Sequence, residues 1–200
     1  MSGVSLTANN KRLLGMRESG HNKNCEGVRF SDRWRTPQWL FDKLDSVFKF
    51  DFDMCACDDN HKCNEYLTYA DDATTAQIPD HVRSIFCNPP FSGTTKQKIL
   101  ARSPEIRSSG KSIVFILPAD ISNVFYYDLI YGKADRVLII NGRINYAHPE
   151  TGDVPKSGTG IGTMIVVYRF GYDCGTIVDN ILRDDLKKIS TLDLGKKLGM

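Results

Sequence analysis

Short unbroken apolar runs alternate along the chain with stretches whose apolar residues recur every three or four positions. The clearest run is Ile113-Val114-Phe115-Ile116-Leu117, closed by Pro118. A run of this kind, ended by a residue that cannot donate to a sheet ladder, predicts a strand buried on both faces. "SIFC" (84–87), "DRVLIING" (135–142) and "GTMIVVYRF" (162–170) predict three more. Phe48, Phe50, Phe52 and Met54 alternate with polar residues that include Asp51 and Asp53, which predicts a further strand.

The other periodicity is helical. Thr36 suits a cap with Pro37 at the first helical position, and Trp39, Leu40, Leu44, Val47 and Phe48 follow near helical spacing. "NVFYYDLIYG" (123–132) predicts a helix closed by Gly132, and "TKQKILARSPEIRSSG" (95–110) a helical stretch interrupted at Pro104. "DDNHKCNEYL" (58–67) reads as a loop entering a short helix, and 68–83 as a connection. Ile177 to Ile189 predicts an amphipathic helix that then frays. Strands alternating with helices predict an α/β fold whose sheet is mostly parallel and flanked by helices.

Composition sharpens this only modestly. With 41% hydrophobic and 25% charged residues, the 200-residue chain reads as an ordinary globular domain. The expected division is a flexible arm over 1–33, a main domain over 34–172 and a helical tail over 173–200. A net charge of +2 permits a polyanionic partner without requiring one. In the arm and just beyond, Lys11, Arg12, Arg17, Lys23, Arg29, Arg33 and Arg35 suit phosphate contacts or simple solvation alike. The sequence has neither a membrane-length apolar run nor a secretory apolar segment, so the expected location is the cytoplasm. The six cysteines accordingly read as reduced thiols.

The candidate chemistry sits where the strand "SIFC" meets Asn88-Pro89-Pro90-Phe91. The paired prolines stop the ladder and hold an extended tip at the carboxyl end of a strand, where open α/β sheets bind ligands. An aromatic amine is a poor nucleophile because its lone pair is delocalised into the ring. Two acceptors against its N–H protons localise that pair. The Asn88 side-chain carbonyl and the Pro89 peptide carbonyl are such acceptors, Pro90 holds the turn, and Phe91 offers a face for a planar base.

These residues, with "RTPQWLF", "DFDMCA", "NHKC" and a later "GRI" in the same order, resemble the phage-type DNA N-6-adenine methyltransferases, from about Trp34 to Phe170. The resemblance implies a Rossmann-like fold, S-adenosylmethionine as methyl donor with S-adenosylhomocysteine as product, no metal, and double-stranded DNA as partner in a host cytoplasm. It implies that Asn88 and Pro89 accept from the target amine, Pro90 shapes the turn and Phe91 stacks on a flipped base. It places Asp53, Cys55 and Ala56 at the methionine part of the cofactor, Thr36 and Pro37 at its amino-acid end, and Asp71 or Asp72 at its adenosine part. The chain departs from the family pattern in three places. "DMCACDDN" lacks the glycines common after the first strand, Phe91 stands for the commoner Tyr, and Ala119-Asp120-Ile121 stand where an Arg is frequent. RNA adenine, cytosine N4 and a protein glutamine amide are alternative targets of the same tetrapeptide chemistry.

Two other segments carry chemistry-bearing residues. Cys55, Cys57, His61 and Cys63 are suitable atoms for zinc, as in a zinc-stapled nucleic-acid-binding module, yet their spacing lacks two separated ligand pairs and favours structural thiols. The Gly- and Pro-rich stretch over 142–162 contains Arg143, Asn145, Tyr146 and Lys156, candidates for contacts to phosphates and base edges.

Overall fold

A computed structural model describes residues 29–155, 162–172 and 175–200. Its centre is a seven-stranded sheet in the order β2-β1-β3-β4-β6-β5-β7. The strands are β1 (Phe52–Asp53), β2 (Glu65–Tyr66), β3 (Ser84–Cys87), β4 (Ser112–Pro118), β5 (Arg136–Asn141), β6 (Thr163–Tyr168) and β7 (Ile177–Leu182). Every pairing is parallel except the two made by β6, which runs against β4 and β5. The α/β, mostly parallel expectation therefore holds.

Helices cover both faces, which explains why the central strands carry unbroken apolar runs after their first residue. Ile113, Phe115 and Leu117 of β4 pack with Ile99, Leu100, Ile106 and Phe125. These come from α2 (Thr95–Leu100), α3 (Ser103–Ser108) and α4 (Val124–Leu129). Val114 and Ile116, pointing the other way, pack with Leu40, Leu44, Leu186, Leu194 and Leu198. These come from α1 (Gln38–Phe48), α5 (Arg183–Lys188) and α6 (Thr191–Leu198). Each such wholly buried side chain contributes roughly 1.5–3 kcal/mol by leaving water.

Several local expectations are corrected. Helix α1 begins at Gln38 with Pro37 in the N-cap position, and Thr36 makes no capping bond. The aromatic alternation over 48–54 is not one strand. Phe48 closes α1, Lys49 turns the chain in the left-handed region at φ 53°, and only Phe52–Asp53 pair. Phe52 and Met54 then face one core while Phe48 and Phe50 face the other. The short helix expected within 58–67 is instead β2, held by Leu67 N–H donating to Asp53 O at 2.9 Å. The interruption expected at Pro104 is present but falls at Ala101–Arg102, and Pro104 lies in the first turn of α3, where its missing N–H costs nothing.

The largest correction is in the tail. Ile177–Leu182 is a strand, pairing in parallel along the whole of β5, and the helix covers only Arg183–Lys188. The unpaired edge of β5 offers a full ladder of hydrogen bonds, which outweighs the helical spacing of the tail's apolar residues. The end does not fray. Ser190 caps α6 through Asp193 N–H at 3.1 Å, and Gly199 closes it at φ 81°.

This topology gathers the carboxyl ends of β1, β2, β3, β4, β5 and β7 on one edge of the sheet. The turn after β1, the Thr68–Asp72 segment, Asn88–Phe91 and the segment after β5 all leave from that edge.

Candidate active site

Asn88 follows the last residue of β3 directly, because Pro89 and Pro90 have no N–H with which to continue the ladder. Its side-chain oxygen Oδ1 is buried and has no hydrogen-bond partner among the described residues. Leaving a buried acceptor unpaired costs about 1–3 kcal/mol, so the fold holds this atom at a loss. Pro89 is buried and Pro90 half-buried beside it.

Phe91 is half-buried, and its ring meets the Tyr146 ring edge to face, with centroids 6.3 Å apart. The backbone around it is held from two sides. Lys96 Nζ donates to Phe91 O at 3.0 Å while lying 5.1 Å from the Phe125 ring centroid. On the other side, Ser92 N–H donates to Asp32 Oδ1 at 2.9 Å, and Ser92 Oγ donates to Asp32 Oδ2. Asp32 belongs to the short 3-10 turn Phe30–Asp32, so this end of the expected arm is tied to the tetrapeptide. Residues 1–28 lie outside the described residues.

The turn after β1 is organised by Asp53, which is 2% exposed. Its carboxylate accepts from Cys55 N–H at 3.2 Å and Lys62 N–H at 3.0 Å. Burial pushes its pKa up to about 6, while the two backbone donors and the nearby Lys62 charge pull it down. Ala56 N–H donates to Leu67 O at 2.9 Å, which fixes the far side of the turn against β2. Cys55, half-buried, places its sulfur 3.6 Å from that of Cys87. Thr36 and Pro37 are both buried, immediately after Arg35.

Arg35 is not a free phosphate ligand. It donates to Asp59 Oδ2 at 2.7 Å and to Asp59 O at 3.2 Å, and also to Pro149 O. Backbone bonds join Arg35 to Ala147 at 3.0 and 2.9 Å. The segment before α1 thereby ties the turn after β1 to the segment after β5.

The acidic candidates after β2 serve their own backbone. Asp71 Oδ2 accepts from Thr68 N–H and Oγ1–H, both at 2.8 Å, forming a capping box. Asp72 sits at φ 52°, accepts from Thr74 N–H at 3.0 Å and Thr74 Oγ1–H at 2.6 Å, and has its pKa lowered by those bonds. The segment stands on the shared edge, but the carboxylates' described bonds are local.

Among the loop candidates, Arg143 is exposed, and Asn145 donates through Nδ2 to Pro155 O at 3.1 Å. Tyr146 is 3% exposed, with its hydroxyl 3.3 Å from Thr163 Oγ1 and its pKa raised to about 12 by burial. It backs Phe91 and is not presented on a loop surface, which corrects its expected role as a contact to DNA. Lys156 lies outside the described residues.

The zinc candidates disperse. Cys57 is in a disulfide, so the reading of all six cysteines as reduced fails there. His61 stacks on Tyr66 with ring centroids 4.4 Å apart, and Cys63 is buried with its thiol pKa raised by burial. Among the described residues no group of three or more His, Cys, Asp or Glu side chains converges as a metal site. Nor is any described helix long and apolar enough to cross a membrane.

Asp32, Lys96 and Cys87 are the residues that sequence reasoning passes over. No local pattern announces them; Asp32 and Ser92 are 60 positions apart. The chain is similar to known proteins. A DNA N-6-adenine-methyltransferase of Haemophilus phage HP1 is 31% identical over 124 residues, which cover 61% of this chain and 70% of the phage protein. A crystal structure of a candidate class I S-adenosylmethionine-dependent methyltransferase from Listeria monocytogenes aligns over 86% of this chain and 73% of its own, with a TM-score of 0.44 and 11% identity. The sequence model of the DNA N-6-adenine-methyltransferase (Dam) family matches residues 23–191, and the chain belongs to that family.

Proposed function

We propose that the chain methylates N6 of an adenine turned out of duplex DNA, at Asn88-Pro89-Pro90-Phe91, with S-adenosylmethionine as donor. The observation that carries this reading is the buried, unpartnered Oδ1 of Asn88 at the carboxyl end of β3. An acceptor held without a partner at that edge is prepared for an N–H that arrives with the substrate.

Asn88 Oδ1 and the Pro89 carbonyl accept the two N–H protons of the adenine amine. They draw the nitrogen towards tetrahedral geometry and localise its lone pair on the attack path. Phe91 stacks on the base, a contact worth roughly 1–3 kcal/mol. Such a base must leave the duplex, because while it is stacked and paired one amine proton is held by thymine and both ring faces are covered by neighbouring bases. As N6 gains the methyl it loses a proton. That proton leaves along one of the two hydrogen bonds to water; no strong base is required.

The residues fit the donor. Asp53, Cys55 and Ala56 in the turn after β1 and Asp71 or Asp72 after β2, at the sheet edge that carries Asn88, would hold it together with Thr36 and Pro37, which follow Arg35 where it pairs with Ala147 after β5. When bound, S-adenosylmethionine supplies an electrophilic methyl group on a sulfonium. Arg143, Asn145 and Lys156 are proposed to meet the DNA, at phosphates or base edges. The mild net charge of +2 suits a duplex that is held by few phosphate contacts.

The test is transfer of labelled methyl from S-adenosylmethionine to unmethylated duplex DNA, with RNA in parallel, followed by nucleoside analysis. N6-methyladenine in the duplex is the expected product. Label confined to RNA, or found on cytosine, would overturn the substrate assignment.

A further inference from the structure

The turn after β1 and the residue before Asn88 are joined by a pair of thiols. Cys87 Sγ donates to Cys55 Sγ across 3.6 Å, and both cysteines are free. We propose that this pair is a site of disulfide formation by peroxides, and that the cross-link arrests methyl transfer. The consequence for activity rests on the functional reading above, in which Cys55 belongs to the donor-binding turn and Asn88 accepts from the target.

The geometry favours the bond. β1 and β3 are parallel neighbours with Asp53 opposite Phe86, and Met54 N–H donates to Phe86 O at 2.9 Å. That register places Met54 opposite Cys87, and the turn after β1 brings the Cys55 sulfur, one residue further on, to 3.6 Å from the Cys87 sulfur. Closing the sulfurs to a bond of about 2.0 Å asks for roughly 1.5 Å of approach. The turn after β1 lies outside the paired strand and can supply it.

The two thiols differ in access, which orders the chemistry. Cys55 is half-buried and meets solvent; Cys87 is wholly buried. The Cys55 sulfur, as thiolate, attacks one oxygen of hydrogen peroxide. The O–O bond breaks, hydroxide leaves and takes up a proton as water, and Cys55 becomes a sulfenic acid. The Cys87 sulfur then attacks the Cys55 sulfur, the S–O bond breaks, and hydroxide departs with the Cys87 thiol proton as a second water. Two thiols and one peroxide yield one disulfide and two waters. Burial raises the Cys87 thiol pKa well above its ordinary value, so Cys87 is inert to peroxide on its own. Its position against Cys55 makes it the resolving partner.

The cross-link would act on both halves of the site. It draws the backbone at Cys55 towards β3, away from the arrangement in which Asp53 receives the Cys55 N–H. It also tethers the residue that sets the direction of Asn88. Transfer that depends on donor and acceptor being placed to within a fraction of an ångström loses rate steeply when either moves.

The experiment treats the full chain with hydrogen peroxide. It then maps cross-linked peptides by mass spectrometry without reduction, and follows methyl transfer and S-adenosylmethionine binding in parallel. A peptide pair linked through Cys55 and Cys87, with Cys63 still a thiol and transfer reduced more than tenfold, is the expected result. Cys87→Ala, compared with its own untreated activity, should trap Cys55 as a dimedone-reactive sulfenic acid and form no link. If that variant does not fold, the mapping on the unaltered chain decides alone. Absence of the Cys55–Cys87 peptide, or its presence with transfer within twofold of the untreated protein, would overturn the proposal. A chain inactive before any peroxide is added would instead overturn the functional reading.

Discussion

Phe91 and Tyr146 stand edge to face, their ring planes at 89°. The contact joins the tetrapeptide after β3 to the segment after β5, and it is directional. Tyr146 is held by Thr163 at the start of β6, so the Phe91 ring rests against a fixed aromatic neighbour. Phe91 is half-buried and keeps part of its surface free for a ligand. A flat binding face is thus backed by a second aromatic whose own hydroxyl is satisfied inside the core.

Removing that support separates stability from stacking. Tyr146→Ala empties a buried aromatic site and should cost about 3–5 kcal/mol of unfolding free energy. Tyr146→Phe loses only the bond to Thr163, about 0.5–1.5 kcal/mol, and should leave KM for DNA within about twofold. Urea unfolding and steady-state kinetics on the two variants check both statements.

Asn88→Ala should show the opposite balance. Its Oδ1 has no partner to lose, so truncation removes a desolvated acceptor and should leave the fold as stable or more so, by up to about 1–3 kcal/mol. Transfer, which uses that acceptor, should fall about 10²–10³-fold, the usual cost of deleting one aimed polar group. Donor binding measured by calorimetry should change little. A variant that is destabilised yet retains full kcat would sink the assigned role.

The buried strands were legible because burial on both faces leaves an unbroken apolar run with sharp ends. Ser84–Cys87 is the expected strand, and Ser112–Pro118 contains the expected run Ile113–Leu117, for that reason. The tetrapeptide was legible because its prolines dictate local backbone whatever surrounds them. What escaped the sequence depends on partners distant in the chain. Ile177–Leu182 reads equally well as one face of a helix, and only the open edge of β5 makes it a strand. Glu65–Tyr66 is too short to carry a periodicity. Asp53 could be picked out as an acid at the end of β1, but the direction of its carboxylate, into its own turn, is a property of the Lys62 and Cys55 amides. Tyr146 looked like a surface contact in a polar loop until β6 and Phe91 closed over it.

The tail's helices make a further prediction. Leu194 is wholly buried, packing with Leu40, Leu44 and Leu186 in one core. If residues 177–200 are structurally part of the sheet domain, Leu194→Ala should lower global stability by about 2–5 kcal/mol in one cooperative transition. Denaturant unfolding followed by tryptophan fluorescence tests this directly, because Trp39 on α1 lies beside Lys187 at 5.1 Å. A separate early transition confined to the tail would refute the single-core view.

Asp32 offers a test of positioning without contact to substrate. Its carboxylate holds the backbone N–H and hydroxyl of Ser92, one residue beyond Phe91. Asp32→Ala frees that end of the tetrapeptide and should lower kcat by about tenfold, an order-of-magnitude expectation for losing a charge-assisted bond of about 1.5–3 kcal/mol. Asp32→Asn retains one acceptor and should recover a good part of the loss. S-adenosylmethionine affinity should be unmoved in both, since the bonds to Asp32 come from Ser92, next to the tetrapeptide, and not from the turn after β1. A purely structural residue would instead lower Tm with kcat unchanged.

Asp53 links the same site to pH. Burial raises its pKa in the folded chain from 3.8 to about 6, against the pull of the Lys62 and Cys55 amides. The folded state therefore holds this proton more tightly than the unfolded state does. The resulting stabilisation is complete below about pH 4, declines as pH rises, and is gone above about pH 6. A shift of this size corresponds to about 3 kcal/mol across the window. Asp53→Asn abolishes the titration, and its unfolding free energy should lack that descent between pH 4 and 6. The amide cannot accept from both backbone donors, so at pH 5 it should be less stable than the native chain, whose acid is then mostly protonated and whose second oxygen still accepts. Chemical denaturation of the two proteins at half-unit intervals from pH 4 to 7 measures the difference in slope. Parallel curves would show that Asp53 carries its charge in the fold without penalty. The Lys62 and Cys55 amides, and not burial, would then govern its ionisation.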